Sequence, residues 1–476
     1  MSAKITKNDK NMRVFQKNIV FLPRITKTIK AMKPKILTKD GVNYLVPFIL
    51  ITSCFALWGF ANDMTGPIVK AFSKIFRMSV TEGALVQVAF YLGYFVMAFP
   101  AAKFIQRYSF KAGVMVGLSL FAIGSFLFFP AKLLGFYYPF LLAYFILTCG
   151  LSFLETSCNP YIYCMGSEDT GTRRLNLAQA FNPIGALMGM YIAMQFVQAK
   201  MSDMTSEKRM ELTDAQFEQL KDSDLGVLIG PYLGLGVVCL LLLILLRFRN
   251  MPKAAETASE KSTRQALWEL IHIKNYREGV LTQFFYVGAQ VTCWTFIIQY
   301  GTRVFMAEGM DEKAAEILSQ KFNIIAMVLF TISRFICTWF LKFVSPGRLL
   351  SILGIMAAMF ATGAIMFTDR HGVYCLVSVS ACMSLMFPTI YGIALRGVGD
   401  NVKFAGAGLI MAILGGSVFP PLQAIIIDSG ITWFGLPSVN LSFVIPFICF
   451  VVIIIYGHRS YIRQFLKTEE SPESTQ

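Results

Sequence analysis

Asn159-Pro160-Tyr161-Ile162-Tyr163 lies in an apolar run over 138–165, and Phe387-Pro388-Thr389-Ile390-Tyr391 lies in another over 373–395. The two are 228 residues apart, and the same offset sets Ala61-Asn62 on Ala289-Gln290. Either match alone is short enough to arise by chance; two at one offset, in equivalent runs, point to a duplicated chain. Working outward, apolar runs follow one another over 44–72, 82–105, 111–130, 138–165, 175–199 and 225–246. After a charged stretch they resume over 280–305, 322–343, 349–367, 373–395, 404–427 and 433–456. A membrane-spanning helix needs ~20 apolar residues, so twelve would use roughly 240–280. That suits a chain of 476 residues that is 55% hydrophobic, with a mean hydropathy of +0.58. Charged residues make up 15%, against about a quarter in soluble domains. A soluble multi-domain enzyme, a disordered chain and a secreted disulfide scaffold are excluded. The expected fold is all-α and integral to the membrane, with twelve transmembrane helices in two six-helix pseudo-repeats.

Charge sets an orientation. The net charge is +15, with eleven Lys/Arg against two Asp over 1–43 and seven basic against four acidic residues over 247–278. Over 200–224 the balance reverses, to four basic and seven acidic. Basic loops stay in the cytoplasm, so this asymmetry reads as topology and not as a nucleic-acid surface. An even number of spans puts both termini on that side. The expected organisation is a basic cytoplasmic arm over 1–43, a six-helix bundle over 44–248, a cytoplasmic linker over 249–278, a second bundle over 279–457 and a cytoplasmic tail over 458–476. The arm reads as a lipid-touching tail, with no cleavable signal peptide before the first run. The ten cysteines fall in apolar stretches without zinc-ligand spacing, so no metal site is expected.

Ionisable side chains inside a membrane cost several kcal/mol and are functional suspects by default. Glu155 lies near the midplane of the fourth run, Asp63 in the outer part of the first, and Arg334 midway along the eighth. Arg334 either holds helices together through backbone carbonyls or a carboxylate, or serves function directly. No basic residue lies within a helical turn of Glu155. Low dielectric disfavours a charged carboxyl by up to ~3–5 pKa units, so such a group suits proton uptake on one side and release on the other. Asn62, Gln87, Asn159, Gln179, Asn182 and Gln290 supply amides around it, and Trp58, Tyr91, Tyr286 and Trp294 supply aromatic faces. Amides donate to and accept from hydroxyls, and rings cover the C–H face of a pyranose. As a set they suggest a polyhydroxylated ligand.

Parallel six-helix repeats are the layout of the major facilitator superfamily. The loop Lys103-Phe104-Ile105-Gln106-Arg107-Tyr108-Ser109-Phe110-Lys111 resembles that superfamily's basic inter-helix motif without its usual acidic residue, which gives Arg107 and Lys111 an expected structural or gating role alongside Arg334. Residues 341–348 are its echo. Closer likeness is carried by Phe55-Ala56-Leu57-Trp58-Gly59-Phe60-Ala61-Asn62, by Gln87-Val88-Ala89-Phe90-Tyr91-Leu92-Gly93-Tyr94-Phe95, by Leu154-Glu155-Thr156-Ser157-Cys158-Asn159-Pro160 and by Arg174-Leu175-Asn176-Leu177-Ala178-Gln179-Ala180-Phe181-Asn182. The second half adds Gln283-Phe284-Phe285-Tyr286-Val287-Gly288-Ala289-Gln290, with Cys293-Trp294, Arg334-Phe335 and Thr338-Trp339. Over roughly 44–456 the chain resembles the L-fucose/proton symporter family, which also includes glucose/galactose and N-acetylglucosamine permeases.

The resemblance implies an alternating-access sugar importer of a bacterial inner membrane. It implies that Glu155 couples the proton and contacts the sugar, and that Gln179 and Asn182 line the cavity. The family's fucose permeases carry a second carboxylate at the position that is Gly66 here. This chain has Asp63, where they commonly have Asn, so Asp63 is expected either to share proton coupling and sugar contact or to bracket a helix break near Gly66-Pro67. The implied partners are a small sugar, protons and the bilayer, with no cofactor, no nucleic acid and a monomeric state. An uncoupled transporter of another small polar solute is the rival within the class. A sensor lacks an output domain here, and an enzyme lacks a nucleophile–base pair, metal cluster or phosphate loop within the spans.

Overall fold

The computed structural model describes residues 37–39, 42–78, 85–198, 200–202, 204, 206–249, 251, 263–433 and 435–470, without the side chains of Asp63 and Gln87 among others. Most of the basic arm, residues 252–262 of the linker and the last six residues lie outside them. A two-residue ladder, Thr38–Lys39 with Val42–Asn43, precedes the first helix.

Twelve helical spans follow. They are α1 (Leu45–Ile75), α2 (Leu85–Arg107), α3 (Phe110–Phe126, continued by Phe128–Leu134), α4 (Tyr137–Cys164), α5 (Gly171–Gln179 and Asn182–Ile192) and α6 (Asp214–Phe248). Then come α7 (Lys274–Ala307), α8 (Glu312–Phe340), α9 (Pro346–Met366), α10 (Arg370–Met383 and Met386–Ala394), α11 (Val402–Met411 and Gly415–Asp428) and α12 (Ser438–Leu441 and Val444–Glu470). Ten are long and apolar enough to cross a membrane among the described residues; α2 and the broken α5 complete the twelve. In lipid every backbone polar group must be satisfied internally, which is why apolar runs of this length become helices.

Five spans come in two pieces, and the breaks in α5, α10 and α11 bear on the site. In α5 the chain restarts at Asn182-Pro183, with proline in the first turn, where its missing N–H costs nothing. In α10 the break falls at Ser384-Leu385, and in α11 the 3₁₀ turn Ala412–Leu414 leads into Gly415-Gly416. The break expected near Gly66-Pro67 is absent: α1 runs through both residues. The described part of the expected linker is largely helical. A short helix, Thr263–His272, occupies part of it, α7 begins within it at Lys274, and α12 carries helix through the expected tail as far as Glu470.

Glycines set the α1–α5 crossing. A Cβ at Gly185 would lie 2.9 Å from Ala56 Cα, and one at Gly59 would lie 2.9 Å from the Asn182 carbonyl carbon. Absent side chains therefore let these backbones touch, as small residues do in membrane helix pairs. Two buried apolar clusters result. One gathers α1–α6 with the ends of α10 and α11 nearest the linker; the other gathers α7–α10 and α12.

The two sequence halves are stitched together at the linker end. Asn176 Nδ2 donates to Thr389 Oγ1 (3.1 Å), Arg396 pairs with Asp169 (3.1 Å), and the Gly397 N–H donates to Glu168 Oε1 (2.7 Å). Phe99 of α2 meets Phe404 of α11 at 6.0 Å between ring centroids. Lys111 Nζ ties the 2–3 loop to the end of α6 through the Arg249 carbonyl (2.8 Å). Arg107 is exposed beside Tyr108, 5.7 Å from its ring.

Candidate functional site

A cavity of about 260 Å³ lies between the halves, lined from α1, α2, α4, α5, α7, α8, α10 and the turn in α11. Glu155 of α4 reaches it and is 5% exposed. Its Oε1 accepts a 2.7 Å hydrogen bond from the Tyr94 hydroxyl of α2. Arg334 of α8 also lines the cavity, and among the described residues no ion pair joins it to Glu155. Its guanidinium instead donates to two carbonyls, Nε to Ser384 (2.5 Å) and Nη1 to Gln179 (2.9 Å), while lying 4.6 Å from the centre of the Phe330 ring. The break in α10 frees the first carbonyl and the break in α5 frees the second. Arg334 thus does hold helices through carbonyls, and it does so at the cavity wall.

Amides form the rest of the polar lining. Gln179 Nε2 donates to Asn159 Oδ1 (2.7 Å), and Asn159 Nδ2 donates back to the Glu155 carbonyl (3.0 Å). Asn182 Nδ2 reaches the Phe55 carbonyl of α1 (3.2 Å). Asn62 Oδ1 is buried at the cavity and has no hydrogen-bond partner among the described residues. Buried acceptors are nearly always satisfied, so this oxygen suits a hydroxyl donor supplied by a ligand. Gln290 of α7 faces the same space. Trp58, Tyr91 and Trp294 supply aromatic walls, with Trp294 Nε1 donating to Ser380 Oγ (3.3 Å).

Eight of the residues expected around a substrate therefore share one cavity: Trp58, Asn62, Tyr91, Glu155, Gln179, Asn182, Gln290 and Trp294. Asn159 stands behind the lining as the bridge between Gln179 and Glu155. Tyr286 departs from expectation. Val287, Gln290, Val291 and Trp294 follow the helical spacing that faces the cavity, and Tyr286 falls about 100° to the side of Val287. Its hydroxyl is committed to the Met383 carbonyl (3.1 Å) on α10. The side chains of Asp63 and Gln87 lie outside the described residues; both positions are on helix.

Two residues escaped the sequence reading. Tyr94 is one helical turn beyond Tyr91, a spacing that would have placed both on one face. Arg174 is wholly buried, with Nε on the Ile162 carbonyl (2.7 Å), Nη1 on Thr170 Oγ1 (2.8 Å) and Nη2 on the Tyr163 carbonyl. It caps the C-terminal carbonyls of α4, where a cation also meets the helix dipole favourably. It stands just outside the apolar run and so was not counted as intramembrane.

The sequence matches the family model of the Major Facilitator Superfamily over residues 51–420. It is 46% identical to an L-fucose-proton symporter of Haemophilus influenzae over 441 residues, covering 90% of this chain and 99% of the relative. It is 31% identical to the L-fucose-proton symporter of Escherichia coli, covering 87% and 93%, and 27% identical to a glucose/galactose transporter of Brucella abortus, covering 88% and 95%. The crystal structure of FucP in the outward conformation superposes with a TM-score of 0.79 at 30% identity, covering 88% of this chain and 99% of that one. The chain belongs to the Major Facilitator Superfamily and, within it, to the L-fucose-proton symporter family.

Proposed function

We propose that this multi-pass membrane protein is a proton-coupled monosaccharide symporter, importing L-fucose or a related hexose by alternating access. The observation that carries the reading is the pairing, in one cavity, of a buried carboxyl with the amides and aromatic rings that recognise a sugar. Glu155 takes up a proton and contacts the sugar. Asn62, Gln179, Asn182 and Gln290 exchange hydrogen bonds with its hydroxyls, Trp58, Tyr91 and Trp294 cover its apolar face, and Asp63 and Gln87 contribute from α1 and α2. The proton is the coupling ion, and no cofactor is called for. The names of the H. influenzae and E. coli relatives support both the sugar and the proton.

The two bundles, over 44–248 and 279–457, act as the moving bodies, joined by the segment between them. In the conformation described, the linker-end contacts lie on the linker side of the cavity, as the outward-facing stage of such a cycle requires. Both termini lie in the cytoplasm of a bacterium, with the chain in the inner membrane. Loading of proton and sugar closes the outer side and parts Asn176 from Thr389 and Arg396 from Asp169. Arg334 grips carbonyls in both bundles and sits at the pivot.

Uptake of a panel of labelled sugars by proteoliposomes, with and without an imposed pH gradient, tests the reading. L-Fucose should accumulate when the outside is acid. Accumulation of glucose or galactose instead would move the assignment to that branch of the family, and uptake indifferent to the gradient for every sugar would remove symport.

A further inference from the structure

A second cavity, of about 620 Å³, opens beside the first between α2, α7 and α11. The two share Tyr91 and Val291 as a common wall. The remainder of its lining is apolar or small: Leu92 and Phe95 of α2, Thr295 and Phe296 of α7, and Leu414, Gly416, Ser417, Pro420, Pro421 and Ala424 of α11 and its 3₁₀ turn. Its origin is the interruption of α11. The 3₁₀ turn at Ala412–Leu414 and the paired prolines shift the helix, and Gly416 leaves room where a Cβ would already touch Val291 (3.0 Å) and Val287 (3.2 Å). The Tyr91 hydroxyl would stand 3.7 Å from that Cβ, so this ring is the partition between a polar chamber and an apolar one. Leu92 and Phe95 at the outer rim are 49% and 43% exposed.

We propose that the side cavity is an aglycone subsite: it receives the alkyl or aryl group of a glycoside whose sugar ring occupies the central cavity. The inference rests on the sugar reading of the central cavity and adds to it a ligand class, apolar glycosides. Polar hydroxyls find partners on one side of Tyr91, and a chain attached to the ring that runs past Tyr91 and Val291 meets a space lined mainly by carbon, with Thr295 and Ser417 as its other polar side chains. Methyl groups and longer chains leave water there, whereas free sugar gains nothing from the space.

Inhibition of labelled L-fucose uptake by methyl, butyl and octyl fucosides, the last kept below micelle formation, reads the subsite. Full burial of a methylene is worth about fourfold in affinity, so inhibition should strengthen at least tenfold from methyl to butyl. Ser417→Phe and Ala424→Phe fill the chamber from two places and should erase that gain while leaving the KM for L-fucose unchanged. Equal potency of methyl and butyl fucoside overturns the proposal. So does a gain that persists in both variants, since the bilayer would then be holding the chain. Thermal stabilisation in lipid nanodiscs by the same two fucosides reads the subsite without transport, so loss of L-fucose uptake and loss of the subsite are separate results.

Discussion

Arg334 Nη1 lies 2.9 Å from the carbonyl oxygen of Gln179, a bond that crosses from α8 to α5 at the cavity itself. With Nε on Ser384 (2.5 Å), the guanidinium satisfies two carbonyls that helix breaks leave open, one in each half. A cation so placed is sensitive to the separation of the halves in a way that a surface ion pair is not.

Arg334→Met keeps much of the bulk and removes both bonds. Hydrogen bonds to charged groups contribute about 1.5–3 kcal/mol each, so loss of the Gln179 bond between the halves should by itself lower the initial uptake rate roughly ten- to a hundredfold. Membrane-inserted amounts, checked by immunoblot, should stay near wild type. Wild-type uptake by this variant would make the Gln179 contact idle.

Glu155→Gln retains an oxygen able to accept from the Tyr94 hydroxyl (2.7 Å) but cannot ionise. Uphill accumulation driven by a pH gradient should disappear, while counterflow exchange of labelled sugar continues at a measurable rate. A Glu155→Gln protein that still concentrates sugar in response to pH would transfer the coupling to another group.

Much of this site was legible because membranes make polar residues conspicuous. Glu155, Gln179, Asn182 and Gln290 stand out against an apolar background, and all four line the cavity. Direction was harder to read. Tyr286 and Val287 are neighbours in sequence, yet the cavity takes the valine while the tyrosine bonds Met383, because the rotation of α7 is set by its partners. The breaks at Ala180-Phe181, Ser384-Leu385 and Ala412–Leu414 carry no strong local signal beyond nearby proline and glycine, whereas Gly66-Pro67, which does carry one, leaves α1 whole. Arg174 was hidden by its place at the edge of a run, where a cation normally means solvent.

Packing at the α1–α5 crossing should govern stability. A Cβ at Gly185 meets the Ala56 carbonyl and lies 2.9 Å from its Cα, all of it backbone that cannot turn aside. Overpacking of this kind costs about 1–3 kcal/mol. Gly185→Val should therefore lower the unfolding midpoint of the purified protein and, by pushing Asn182 away from α1, weaken sugar affinity. Gly230, with no atom within 4 Å of its Cβ position, is the control: Gly230→Ala should leave both unchanged.

Reporter fusions check the orientation that charge implies. Fusions at Ser262 and Pro472 should report from the cytoplasm and one at Met210, which is 66% exposed between α5 and α6, from outside. A cytoplasmic Met210 would break the six-plus-six arrangement.

Asp63 and Gly66 lie on the unbroken α1, three residues and so about 4.5 Å of rise apart, and i, i+3 positions share nearly one helical face. A carboxylate carried at Asp63 can therefore substitute, one turn nearer the midplane, for the one that the resemblance to fucose permeases implies at the position of Gly66. On that account Asp63→Asn, which preserves size and hydrogen bonding, should cut proton-driven uptake at least tenfold. Asp63→Asn combined with Gly66→Asp should recover part of the loss and shift preference among a fucose, galactose and glucose panel, since the charge would approach the sugar from a different height. The competing account, a solvated carboxylate that merely brackets a break, has lost its break, because α1 continues through Pro67. Near-normal uptake by Asp63→Asn alone would leave Glu155 as the only coupling carboxylate.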